Sequence, residues 1–232
     1  MKVAIVTGAS QGIGAGVADA FARAGYAVVG TSRSIAPYGD PGFLTVPGDI
    51  AEPETPQHVV EQALDRFGRI DTLVNNAGIF ISKPFTDYTP DDYDVMTAVN
   101  LAGFFHITQR AIAQMLTQGG GHVVSVTTSL VDHARTASPS ALASLTKGGL
   151  NAVTRSLATE YAARGIRVNA VGLGVIKTPM HDPAEYDGMA AFHPIGRAGE
   201  VSDVVDGILY LERATFVTGE TLHIDGGQAA GH

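Results

Sequence analysis

Short continuous apolar runs alternate along the chain with stretches whose apolar residues recur every three to four positions. The continuous runs predict strands at 3–6, 27–31, 43–46, 70–74, 122–127, 166–171 and 221–224. The helical period predicts helices at 14–24, stopped by Gly25, and at 56–67, where Val59, Val60, Ala63, Leu64 and Phe67 share one side. Thr89 caps another, with Pro90 at its first position and Asp91 and Asp92 in its opening turn. Three more are predicted at 100–116, from a Ser138 cap and Pro139 to Ala163, and at 201–211.

Strands without a polar face are buried on both sides. Their alternation with helices predicts one α/β domain over residues 1–232: a doubly wound, mostly parallel sheet with helices on both faces. The stretch 177–200 breaks the pattern. It has two X-Pro steps, Asp182-Pro183 and His193-Pro194, and little periodicity, so it is expected to form a lid over a ligand.

Composition narrows the function. Lys and Arg number 15 against 23 Asp and Glu, a formal net charge of −8, which disfavours nucleic-acid and membrane-surface partners. The absence of cysteine excludes disulfides, thiolate metal sites and a cysteine nucleophile. The eight histidines show no spacing with carboxylates that suggests a metal site. The first apolar run reaches Gly8 too soon for a signal peptide, so a cytoplasmic protein is expected.

The first strand runs into Thr7-Gly8-Ala9-Ser10-Gln11-Gly12-Ile13-Gly14 and then a helix. Glycines at Gly8, Gly12 and Gly14 let the backbone approach a pyrophosphate, and the helix N-terminus offers N–H groups to it. At the end of the second strand, where a carboxylate would hold the ribose of NAD, the chain has Thr31-Ser32-Arg33-Ser34. Arg33 can pair with a 2′-phosphate, and Ser32 or Ser34 can donate to it, so NADP(H) is favoured and NAD(H) is the alternative.

These residues, with Asp49-Ile50, Asn75-Asn76-Ala77-Gly78, Asn100, Thr178-Pro179, Val217-Thr218-Gly219 and Asp225-Gly226-Gly227, follow one another in the order found in the short-chain dehydrogenase/reductase family, which the whole chain resembles. The resemblance implies a Rossmann fold, hydride transfer between a nicotinamide and a small-molecule substrate, and a homotetramer or homodimer. It also implies cofactor contacts at Gly8, Ser10, Gln11, Gly12, Ile13, Gly14, Ser32, Arg33, Ser34, Asp49, Ile50, Asn76, Ala77, Gly78, Lys147, Gly174, Ile176 and Thr178. Gln11 departs from the basic residue of many NADP-using relatives, and Leu173-Gly174 stands where relatives have Pro-Gly.

In the family a Ser or Thr polarises the substrate oxygen, a Tyr exchanges the proton, and a Lys four residues later lowers the Tyr pKa. Lys147, followed by Gly148-Gly149-Leu150, fits the lysine, but Ala143 stands at the tyrosine position. Asn100 fits the family asparagine. The hydroxyl is Thr128 if counted from the strand and Ser129 if counted back from Lys147. Candidates for the missing acid are His133, then Ser140, Ser144, His181, Tyr186 and His193, with Lys147 acting through water as another route. A substrate already cationic at nitrogen needs no such acid. The sequence therefore predicts an NADPH-dependent reductase of carbonyl or imine compounds with non-standard proton delivery. The alternative is a dinucleotide-binding sensor or subunit partner without turnover. Met180, Met189 and Phe192 in the lid suggest an apolar pocket.

Overall fold

In the computed structural model, which describes residues 1–182, 184 and 186–231, the apolar runs form β1 (Val3–Thr7), β2 (Ala27–Ser32), β3 (Phe43–Pro47), β4 (Thr72–Asn75), β5 (Gly121–Thr128), β6 (Ile166–Leu173) and β7 (Thr221–Ile224). They pair in the order β3-β2-β1-β4-β5-β6-β7, every pair parallel. Ile5 of β1 stands in register between Val29 and Leu73. The strand order reverses beside β1, so a crevice opens beyond the carboxyl ends of β1 and β4.

Alternate residues of β1 serve opposite faces, which is why both must be apolar. Val3 and Ile5 pack with Val59, Ile107 and Met115, from α2 (Glu54–Phe67) and α4 (Phe104–Gln118). Ala4 and Val6 pack with Val17, Phe21, Ile208 and Leu211, from α1 (Gly12–Arg23) and α7 (Val201–Arg213). Ala158 of α5 (Ala141–Tyr161) joins the first layer. The Thr89 cap forms as expected over α3 (Pro90–Thr97): its hydroxyl accepts from Asp92 N–H, and the Asp92 carboxylate accepts from Thr89 N–H. Among the described residues no helix is long and apolar enough to cross a membrane.

Most predicted boundaries shift by one or two residues, and three of the differences have a clear local reason. The fourth strand starts at Thr72, not at residue 70, because the Gln118 amide takes both Ile70 N–H and Ile70 C=O. The helix expected at 100–116 becomes a π-helical turn, Ala98–Gly103, followed by α4. Ser138 and Pro139 do not open α5. Residues 135 and 138 bridge across a turn, and the Pro139 carbonyl accepts from the Ser82 hydroxyl, so Ser140 takes the cap position without a side-chain capping bond. Among the described residues of the 177–200 stretch, Tyr186–Ala190 form the short helix α6. Pro183, in the first X-Pro step, lies outside the described residues.

At the amino edge of the sheet a polar cluster is buried. Glu212 of α7 accepts from Tyr26 Oη (2.8 Å), Thr72 Oγ1 (3.0 Å) and His122 Nδ1 (2.8 Å). Asn169 Nδ2 (3.0 Å) and Arg167 Nη1 (3.4 Å) face His122 Nε2. Both are donors, so Nε2 must present a lone pair, and the ring is neutral with its proton on Nδ1. Burial pushes the His122 pKa down, in agreement with that assignment.

Candidate active site

A cavity of about 860 Å³ opens where the strand order reverses. One end is built by the turn after β1. Gly8 and Gly12 have φ of +69° and +56°, which disfavours side chains there. A Cβ on Gly14 would lie 2.1 Å from Gly8 O, so Gly14 serves the close approach of α1 to the turn and does not line the cavity. Asn76 Nδ2 donates to Thr7 O (2.9 Å), and Thr7 Oγ1 accepts from Asn76 N–H and Ala77 N–H. These bonds clamp the β1 and β4 turns together.

Ser10, Gln11, Ile13, Ser32, Arg33, Ser34, Asp49, Ile50, Asn76, Ala77 and Gly78 all line this cavity, as do Gly174, Ile176 and Thr178 across from them. The Ser32 hydroxyl is buried and meets no partner among the described residues. Arg33 is exposed and pairs with no carboxylate among them. Gly174 is needed for packing: a Cβ there would lie 2.6 Å from His193 Nε2.

Lys147 reaches the cavity from α5 and donates to Val126 O (2.9 Å). Burial lowers its pKa to about 8. Gly78 makes room for the ammonium, since a Cβ there would lie 2.8 Å from Nζ and 3.2 Å from Asn100 Oδ1. Asn100 does not line the cavity. The π-helical turn aims its amide at the Ile79 backbone, accepting from Ile79 N–H and donating to Ile79 O (both 3.0 Å), with a further bond to Thr146 Oγ1. It therefore fixes the loop beneath the Lys147 tip.

The two hydroxyl candidates separate. Thr128 lines the cavity, and its Oγ1 accepts from Leu130 N–H (3.2 Å), which leaves its proton free to donate inward. Ser129 is fully buried and donates to Asp225 Oδ2 (2.8 Å). Burial alone would raise the Asp225 pKa. Bonds from Ala229 N–H, the Ser129 hydroxyl and Gly227 N–H outweigh it and hold the pKa low. The structure thus gives Ser129 a place in the C-terminal turn, away from the cavity.

His133 does not line the cavity either; its N–H donates to Ser129 O (2.9 Å). Ser144 Oγ donates to Leu130 O, and Tyr186 Oη to Thr178 O. His193 is buried and accepts from Val175 N–H (2.9 Å). His181, Met180, Met189 and Phe192 of the 177–200 stretch do line the cavity. Arg135, Ser138, Phe80 and Gln228 line it too; the sequence marks Ser138 only as a helix cap and the other three not at all.

Ala143 is 1% exposed and packs with Met96 and Leu142, flanked by Ile79, Ile81 and Tyr88. It does not line the cavity, and the Tyr88 hydroxyl is committed to Ile81 O. Ala143→Tyr is therefore expected to overpack this cluster, costing about 1–3 kcal/mol. Thermal unfolding should show a Tm lower by roughly 2–4 °C for each kcal/mol. An unchanged Tm would mean that the cluster yields to a ring.

The model of a family described as enoyl-(acyl carrier protein) reductase matches residues 8–229. L-xylulose reductase of Bos taurus is 36% identical over 97% of this chain and 95% of its own. The solved structure of ElxO with NADP bound superposes with a TM-score of 0.92 at 29% identity, covering 99% of both chains. The 3-ketoacyl-(acyl-carrier-protein) reductase of Brucella melitensis complexed with NADH gives a TM-score of 0.91 at 30% identity, covering 98% of both.

Proposed function

The chain belongs to the short-chain dehydrogenase/reductase family of NAD(P)-dependent oxidoreductases, and from that premise we propose that it reduces a carbonyl or imine compound with NADPH, the proton coming from Lys147 and not from a tyrosine. The observation that carries this reading is a buried lysine with a pKa of about 8 on the same cavity wall as a hydroxyl free to donate.

The residues present fit the dinucleotide. Gly8 and Gly12 leave the backbone open to a pyrophosphate, and Asp49-Ile50 flank the adenosine end. The Ser32 hydroxyl beside Arg33, neither paired among the described residues, suits a 2′-phosphate. That relatives of known structure carry NADP and NADH supports both the site and a residual use of NAD. When bound, the cofactor supplies the hydride.

The chain's own residues handle the oxygen. Thr128 Oγ donates to the substrate oxygen and orients it. Lys147 Nζ is anchored by one of its three donors to Val126 O, and it holds a proton that can pass through a water to the same oxygen. Asn100 is a positioning residue that acts on the Gly78–Ile79 backbone. An iminium substrate would need only the orienting groups.

The direct test incubates the protein with NADPH and a panel of aldehydes, ketones and cyclic imines, following A340. Turnover supports the reading. Tight NADPH binding without hydride transfer at high enzyme concentration supports the sensor alternative. Arg33→Ala should weaken NADPH binding by about 10–100-fold while leaving NADH within a few-fold, as expected for loss of a charge-assisted pair. An equal loss for both cofactors would remove Arg33 from phosphate recognition.

A further inference from the structure

The end of the cavity away from Arg33 carries a charge that the reaction described above does not use. Arg135, in the loop between β5 and α5, lines the cavity beside Ser138, Met189 and Phe192. Residues 135 and 138 bridge across a turn, with Ser138 N–H on Arg135 O (3.2 Å), so guanidinium and hydroxyl are presented together. The guanidinium stacks over the Phe192 ring at 5.1 Å and donates through Nη2 to Phe192 O. Its Nε is buried and meets no acceptor, and no carboxylate pairs with Arg135 among the described residues.

A half-buried guanidinium with a spare buried donor is costly unless an anion completes it. The nearby cavity walls supply none, since Leu130, Met189 and Phe192 are apolar. The field is felt locally: burial first, and then the Arg135 cation, hold the His193 pKa down. In a chain of net charge −8, a cation on the cavity wall with no ion-pair partner among the described residues is a local feature and not part of a basic surface.

We propose that Arg135 and Ser138 form an anion subsite, and that the substrate is an oxo acid with its carboxylate here and an apolar body against Met189 and Phe192. This rests on the oxidoreductase reading. The ketone carbon gains a hydride and its oxygen a proton, NADPH becomes NADP⁺, and the carboxylate is unchanged. The guanidinium fork takes the carboxylate in two hydrogen bonds and the Ser138 hydroxyl adds a third. Because Arg135 also holds Phe192 O, an arriving anion sits where the lid segment meets the β5–α5 loop.

The test has a binding arm and a turnover arm. Phenylglyoxylate and 3-benzoylpropionate, each against its neutral amide, are titrated by calorimetry into the protein saturated with NADP⁺. The acids should bind about 10–100-fold more tightly than their amides. Arg135→Met should bring the ratio near one, and Arg135→Lys should keep part of it, with circular dichroism confirming the fold of both. Wild-type protein that binds amide as well as acid for both pairs overturns the subsite without any variant. So does an acid preference that survives in Arg135→Met. The turnover arm repeats the pairs with NADPH at A340. Acids that bind through Arg135 but are never reduced uphold the subsite and refute the redox reading. Equal turnover of acids and amides refutes the subsite and leaves the redox reading intact.

Discussion

Lys147→Met is expected to lower kcat/KM for reduction by about 10²–10⁴-fold, the usual contribution of a placed proton donor. The pH profile says why. Burial holds the lysine at about pKa 8, so the ammonium that donates is present below that pH and disappears above it. Wild-type kcat/KM for reduction should be level below about pH 8 and fall about tenfold per unit above it. The reverse oxidation needs the free amine and should rise through the same pH. Lys147→Met should lose both limbs. Lys147→Arg keeps the charge but cannot release its proton near neutrality, so it separates the two roles of the residue. NADPH affinity should be largely retained in Lys147→Arg while the alkaline limb is lost. A limb near pH 8 that persists in Lys147→Met would assign the proton to another group, with His181 on the cavity wall the next to test.

The same lysine shows what a sequence can and cannot disclose. Its place on the helix, four positions after Ala143, is written in the order of residues. Its lowered pKa is not, because that comes from burial, which only the packed fold supplies. The strands were legible because burial on both faces demands continuous apolar runs, and the glycine turn because only glycine fits at Gly8 and Gly12. The π-helical turn at Asn100 was not, since one extra residue per turn leaves no repeat to detect over so short a span. Thr128 and Ser129 could not be told apart by counting, because the partner that draws Ser129 away, Asp225, is 96 residues distant. Arg135 left no trace for the same reason: a single arginine in a loop acquires meaning through Phe192, brought to it from 57 residues away.

Glu212→Ala should cost the fold about 3–5 kcal/mol, the range for breaking one partner of a buried charged cluster. The side chain gathers three donors, Tyr26, Thr72 and His122, and its removal leaves all three without the carboxylate that accepts from them. The loss should fall short of the sum of three orphaned donors, because neighbours in one network do not add. Acid should act in the same direction. The neutral folded His122 has a pKa below its unfolded value, so the unfolded chain takes up a proton first as pH falls below about 6.5, and stability declines from there. The Glu212 carboxyl is raised by burial but lowered further by His122, Tyr26 and Thr72, so its contribution is present above about pH 4.3 and is lost below it. Urea unfolding at pH 7.5 and pH 5 should therefore show a less stable wild type in acid. Glu212→Ala should already be weak at pH 7.5. The cluster sits at the amino edge of the sheet and the cavity beyond its carboxyl edge, so turnover per folded molecule should be unchanged in Glu212→Ala. A fall in specific activity with no fall in stability would reverse that division, making the cluster part of the site's support and not of the fold's.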